Sequence, residues 1–252
     1  MKPRITVTDV DRQAARLLIE TFRPRLDVYA ERLDDQEQVD SINKWMADRK
    51  DAVASARPPF RIGDWKPCGA RGNRKPVTVN DVAEHVAGRR TLGFYPLHPD
   101  GVCNSVSVDF DNHRGSRVTE RDPREDYDAV SSLLMRRGVR FIGHHSRGGR
   151  GYWIHLLPPV GTQASVARAV LQRLLDEAGV KHIDAGGTVD SLFPKQDKVF
   201  AGTNGDTTAS PGNLFCLPLS RRWLASDPPG SHLVGTDPRD LDSQIASLRS
   251  YL

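Results

Sequence analysis

The sequence predicts an α+β fold, an α/β sandwich in which helices cover one face of a mainly antiparallel sheet. Two pairs of short strand-like segments, each pair followed by a segment of helical period, run through the middle of the chain. Gly, Pro, Asn and Asp punctuate those segments. With 252 residues, 38% hydrophobic and 27% charged, the chain is long enough for one large domain or two small ones and too apolar to be disordered.

Residues 8–22 read as a helix capped by Thr8 or Asp9, with Val10, Ala14, Leu17, Leu18 and Phe22 on one stripe. FRPRLDVYA (22–30) follows, then an acidic, polar stretch. Residues 50–77 are rich in Pro, Gly and Arg and read as an irregular basic loop. Lys66, Arg71, Arg74 and Lys75 there are either contacts to a nucleic-acid backbone or solvated loop charges. A short helix over Val79–Ala87 is closed by Gly88. Leu92–Leu97 reads as a strand, and HPDG (98–101) as the turn joining it in a hairpin to a strand over 105–111.

Asp122 and Pro123 form a cap and first-turn proline, opening a helix that buries Tyr127, Val130 and Leu134 and ends at Gly138. Val139–Ile142 and Tyr152–Leu157 read as paired strands joined by SRGGRG (146–151). Residues 162–178 form a second long helix, with Val166, Val170, Leu174 and Ala178 as its stripe and Gly179 as terminator. There follow residues 180–184, a segment centred on Asp190, a loop over 202–212 and a strand over 213–219. A last helix starts at Asp237 and Pro238 and carries Leu241, Ile245, Leu248 and Leu252. That stripe runs to the final residue, so the chain is expected to be one piece of a longer polypeptide.

Three cysteines (Cys68, Cys103, Cys216) without a C-x-x-C pair argue against a disulfide framework and a zinc ribbon, and fit a reducing cytoplasm. No apolar run approaches the roughly 18 residues that span a membrane, so no membrane partner is expected. A net charge of +4, 36 basic residues and a pI of 9.1 suit a polyanionic partner.

The chemistry centres on SVSVDFD (105–111). Strand alternation puts Val106, Val108 and Phe110 on an apolar face and Ser105, Ser107, Asp109 and Asp111 on the other. Two carboxylates held that close repel unless a cation or proton lies between them, and a hard ion such as Mg2+ or Mn2+ is the usual solution. In SRGGRG, glycines let a ligand approach the backbone, while Ser146, Arg147, Gly149, Arg150 and Gly151 supply anion-seeking groups; an ordinary hairpin turn has the same composition. His155 follows on the paired strand, as a phosphate contact or a structural histidine. In DSLFPKQD (190–197), Asp190 can complete the carboxylate set and Lys195 can meet phosphate charge, with Asp184 and Asp197 competing for the role of Asp190. Three acids with a basic glycine loop suggest two-metal phosphoryl transfer.

FYPL (94–97), DFD (109–111), SRGGRG (146–151), D-x-x-F-P-x-Q-D (190–197) and GNLFCLPL (212–219) occur in the order seen in archaeo-eukaryotic primases. The chain resembles in particular the primase-polymerase domain of bacterial TOTE conflict systems, whose F-R-x-R-x-D-V-Y-A segment is similar to residues 22–30. The resemblance implies an RRM-like catalytic core packed on an N-terminal α/β lobe. It divides the chain into a lobe over 1–90, a core over 91–225, and a linker and helix over 226–252. It also implies two Mg2+ or Mn2+ ions on Asp109, Asp111 and Asp190, a triphosphate on Ser146, Arg147 and the loop glycines, and dNTP or NTP polymerisation on single-stranded or primer-template DNA. A fused or associated helicase and a bacterial, phage or plasmid setting go with it. No accessory zinc is expected, because the family's cysteine cluster near Cys68 is missing.

One departure matters. Trp153 occupies the family's histidine position and His155 its aromatic one. The expected activity is DNA primase/polymerase; the alternative is a catalytically degenerate nucleic-acid-binding module of a replication or defence system.

Overall fold

The structure, a computed structural model, describes residues 5–48, 61–68, 76–112, 120–199 and 212–252. Helix α1 (Asp9–Phe22) opens with a capping box: the Thr8 hydroxyl accepts from the Asp11 amide at 3.2 Å, and the Asp11 carboxylate accepts from the Thr8 amide at 2.8 Å. Then come β1 (Tyr29–Arg32), α2 (Gln36–Asp48), β2 (Trp65–Cys68), α3 (Val79–Val86), β3 (Thr91–Phe94) and β4 (Val106–Phe110). Helix α4 (Pro123–Arg136) leads to β5 (Ile142–His145), β6 (Tyr152–Leu156), α5 (Ala164–Glu177) and a 3-10 turn at Ile183–Ala185. Strands β7 (Val189–Phe193) and β8 (Phe215–Cys216) and helices α6 (Arg221–Leu224) and α7 (Leu241–Arg249) complete the chain.

The strands form two antiparallel sheets, ordered β2-β1-β3-β8 and β5-β6-β4-β7. The second sheet buries both faces. Val106, Val108, Phe110, Ile154 and Leu156 pack under α4 and α5. On the other side, Ile142, Trp153 and Phe193 enter a core shared with the first sheet and with α1, α3 and α7. The α+β sandwich expected from the sequence is therefore the observed architecture.

Four local readings change. The expected β3–β4 hairpin does not form. The turn itself closes, with the His98 amide donating to the Val102 carbonyl at 2.9 Å. But both edges of β3 are taken by β1 and β8, so the chain crosses into the second sheet and β4 pairs with β6 and β7. Helix α5 buries Ala164, Ala167, Leu171, Leu174 and Leu175, leaving Val166 and Val170 56% and 51% exposed. Two apolar stripes at helical spacing overlap there, and the leucine-rich one removes more area from water. Strand β5 starts at Ile142, three residues later than expected, because Val139 and Arg140 remain exposed. Helix α2 and strand β2 form where only a polar stretch and an irregular loop are expected, although Val39, Ile42 and Met46 recur at helical spacing along α2.

Past α6, the chain runs along the outer edge of β5. The His145 amide donates to the His232 carbonyl at 2.8 Å and the Val234 amide to the Gly143 carbonyl at 2.9 Å. The buried Gln244 of α7 accepts from the Leu233 amide at 3.1 Å, tying this segment to the last helix.

Candidate active site

Asp109 lies on β4 opposite Ser191 of β7 and Trp153 of β6. Residues paired across an antiparallel ladder share a face, so Asp109 points away from α4 and α5. The β4–β7 register then slips: Phe110 pairs with Val189, so Asp190 is the extra residue of a bulge. Bulges re-aim side chains, and here the slip puts the Asp190 carboxylate in the field of Asp109. Asp111 follows directly after β4, its amide donating to the Thr188 carbonyl at 2.9 Å.

Asp109 is half-buried, and its Oδ1 is shielded from solvent without a hydrogen-bond partner. Burial pushes this carboxyl well above the usual carboxylate range; Asp111 and Asp190 push it further, and Lys195 pulls against them. A carboxyl in that position favours a proton or a cation. Among the described residues no three His, Cys, Asp or Glu side chains are gathered tightly enough to hold a metal. The three aspartates share one field without closing into a shell. They fit a divalent cation by chemistry, as hard oxygen donors with one orphaned oxygen. Of the competitors for the role of Asp190, Asp197 is ion-paired with Arg168 and Asp184 is exposed in the 3-10 turn.

The glycine loop abuts the end of β4: a Cβ on Gly151 would stand 2.6 Å from the Phe110 carbonyl oxygen. Its glycines serve the turn itself. The Gly149 amide donates to the Ser146 carbonyl at 2.9 Å, and the Gly151 amide to Ser146 Oγ at 3.0 Å. Gly149 and Gly151, expected to donate to an anion, thus spend those amides inside the loop. Gly149 also adopts φ 70°, which only glycine takes without strain. Arg150 and Lys195 are exposed, and Lys195 Nζ sits 5.2 Å over the Phe193 ring.

Arg147 reaches toward the first sheet and shows what the sequence concealed. Its guanidinium lies 5.2 Å over the Trp223 ring, and that of Arg222 lies 5.1 Å over the same ring. Asp34, just past β1, is buried against Arg32, the Thr91 hydroxyl and Arg222, whose Nη1 stands 3.4 Å from Oδ2. Arg32 and Arg222 pair with this carboxylate, and Arg147 lies within its field. Burial, then Arg32, lowers Arg147 from its ordinary value, Arg222 adds to this, and Cys216 and Asp34 oppose it. The Cys216 thiol on β8, pushed up to about 12 chiefly by burial, feels Arg147, Asp34, Arg32 and Asp109 together. Arg32 of β1, Arg147 of the glycine loop and Arg222 of α6 form a basic wall here, and the Cys216 thiol lies in the field both of that wall and of Asp109. Arg32, Asp34, Arg222 and Trp223 carry no local motif, and up to 188 residues separate partners, so spacing could not reveal them.

His155 is corrected. It is fully buried between the sheets, edge-on to Phe22 at 4.9 Å. Its Nδ1 is 2.6 Å from Ser107 Oγ, and its Nε2 is 2.8 Å from His144 Nε2. His144 Nδ1 lies 2.8 Å from the His145 carbonyl and must be the donor there. The His155 Nε2 proton is then donated to His144, and the Ser107 hydroxyl donates to His155. Both nitrogens are used within the protein, so nothing of this ring is left for a nucleotide. On β2, Lys66 stands 3.9 Å from Glu31, while Arg71, Arg74 and Lys75 lie outside the described residues.

The chain belongs to the archaeo-eukaryotic primase domain family of TOTE conflict systems, whose model matches residues 13–249. Among solved structures, it is similar to the polymerase domain of Ligase D from Mycobacterium tuberculosis, determined in complex with DNA. That likeness has a TM-score of 0.43 and 14% identity, over 99% of this chain and 94% of that one. No curated protein matches the chain. Among the described residues no helix is long and apolar enough to cross a membrane.

Proposed function

We propose that this chain is a DNA primase/polymerase, transferring nucleotides from dNTPs or NTPs to a 3'-hydroxyl on a DNA template. One observation carries the reading beyond family membership: the raised, orphaned Asp109 shares its field with Asp111 and Asp190 and with the cation Lys195. Asp109, Asp111 and Asp190 are the residues to hold Mg2+ or Mn2+. Such ions, when bound, activate the attacking oxygen and stabilise the leaving one. Arg147, Arg222 and Lys195 provide positive charge for the triphosphate and for the pyrophosphate that departs. Ser146 fixes the loop from which Arg147 projects.

The second reading, a nucleic-acid-binding module without catalysis, is favoured by Trp153, which puts an indole opposite Asp109. Primer extension on a labelled primer-template with dNTPs or NTPs and Mg2+ or Mn2+ decides between them. Extension that vanishes in Asp109→Ala supports the polymerase. DNA binding without extension under either metal supports the module.

A further inference from the structure

Asp126 is a fully buried acid in the first turn of α4, outside the aspartate set. Its Oδ2 accepts two hydrogen bonds from one residue 62 positions away: the Thr188 amide at 3.1 Å and the Thr188 hydroxyl at 2.7 Å. Arg121 Nη2 stands 2.8 Å from Oδ1 and balances the charge. The amide end of α4 also favours a carboxylate there. Burying an acid is costly, and this one is directed at a single point of the chain.

That point is where the two aspartate-bearing strands meet. The Thr188 carbonyl accepts from the Asp111 amide at 2.9 Å, fixing the exit of β4. Thr188 also immediately precedes β7, two residues ahead of Asp190. The turn before it has no slack, since a Cβ on Gly187 would stand 1.9 Å from the Lys181 carbonyl oxygen.

We infer that Asp126 is a positioning residue, which sets Asp111 and Asp190 relative to Asp109 by clamping Thr188. The inference rests on the cation-binding reading above. Partners that orient ligands in this way typically cost about ten- to a hundredfold in metal affinity when removed.

The test is Mn2+ alone, titrated into the full chain and followed by electron paramagnetic resonance. Asp126→Asn, and Thr188→Val, which keeps the shape but loses the hydroxyl, are expected to bind Mn2+ about ten- to a hundredfold more weakly. Thr188→Ser should retain the wild-type value. Leu134→Ala, a core substitution elsewhere on α4, should lower the melting temperature and leave Mn2+ affinity unmoved, separating positioning from general stability. Wild-type Mn2+ affinity in a folded Thr188→Val overturns the inference, and that variant decides the matter where Asp126→Asn fails to fold. Wild-type binding no tighter than that of Asp109→Ala removes the cation reading itself, and the clamp's role with it.

Discussion

Trp153 stands directly across the β4–β6 ladder from Asp109, its indole parallel to the His144 imidazole at 6.0 Å. From β6, then, no titratable ring faces the buried carboxyl. The imidazoles of His144 and His155 lie beyond it in the core, already committed to each other.

Cation binding should therefore follow the ionisation of Asp109 itself. Burial and its acidic neighbours favour the protonated form, so at low pH an incoming cation must displace a proton. Mn2+ affinity is expected to rise with pH up to the raised pKa, by about tenfold per unit, and then level off. Asp109→Asn should flatten the profile. An unchanged wild-type affinity across pH 5 to 8 would count against the arrangement.

The buried histidines make the fold acid-labile. His85 accepts from the Leu92 amide at 3.0 Å and donates to the Pro218 carbonyl at 3.0 Å, so it too is held neutral. Burial lowers His85 and His144 to about 4 and His155 well below its ordinary value. Between about 6.5 and about 4 the unfolded chain binds protons that the folded one refuses, so stability falls as pH drops through that window. His85 and His144 each account for on the order of 3 kcal/mol by its lower end. Urea unfolding at intervals from pH 7 to pH 4 measures it; a constant midpoint would contradict it.

The arginine wall should bind polyphosphate in proportion to its charge. Arg147→Ala and Arg222→Ala each remove a potential charge-assisted bond worth about 1.5–3 kcal/mol, a loss of roughly ten- to a hundredfold. Asp34→Asn has the opposite sign, because the resident carboxylate competes for the same cations. Calorimetry with inorganic tripolyphosphate reads both directions. Equal affinities throughout would place the anion seat elsewhere.

Gly230→Ala should loosen the glycine loop. The added methyl would stand 2.0 Å from the Arg147 carbonyl oxygen, a backbone atom that cannot move without the loop. A lower melting temperature together with weaker tripolyphosphate binding is expected. A fall in stability alone would mean that the loop's position does not matter to the anion.

What the sequence revealed was local. Thr8 or Asp9, and Asp122 with Pro123, announce helix starts because caps are short-range chemistry, and the structure makes Thr8 the cap; the D-x-D alternation placed Asp109 on the correct face of β4. Sheet membership was not local. HPDG looks like a hairpin turn and does close, yet which sheet β4 joins depends on β1 and β8 having already claimed β3. The valines of α5 met the helical spacing as well as its leucines did, and only the larger apolar area of the leucine stripe decided between them. In the site, the acidic half follows from one strand and one bulge. The basic half is assembled from β1, the glycine loop and α6, and only folding brings those together.

The segment that hydrogen-bonds along β5 has a practical meaning for anyone trimming this protein. It satisfies the outward amide of His145 and the outward carbonyl of Gly143, and α7 secures it through Gln244. A fragment ending near Ser226 would bare that strand margin beside the arginine-bearing loop and invite a second copy to add its own strand there. Such a fragment should sediment as oligomers or precipitate. Its inactivity would then reflect self-association and say nothing about the chemistry of the aspartates.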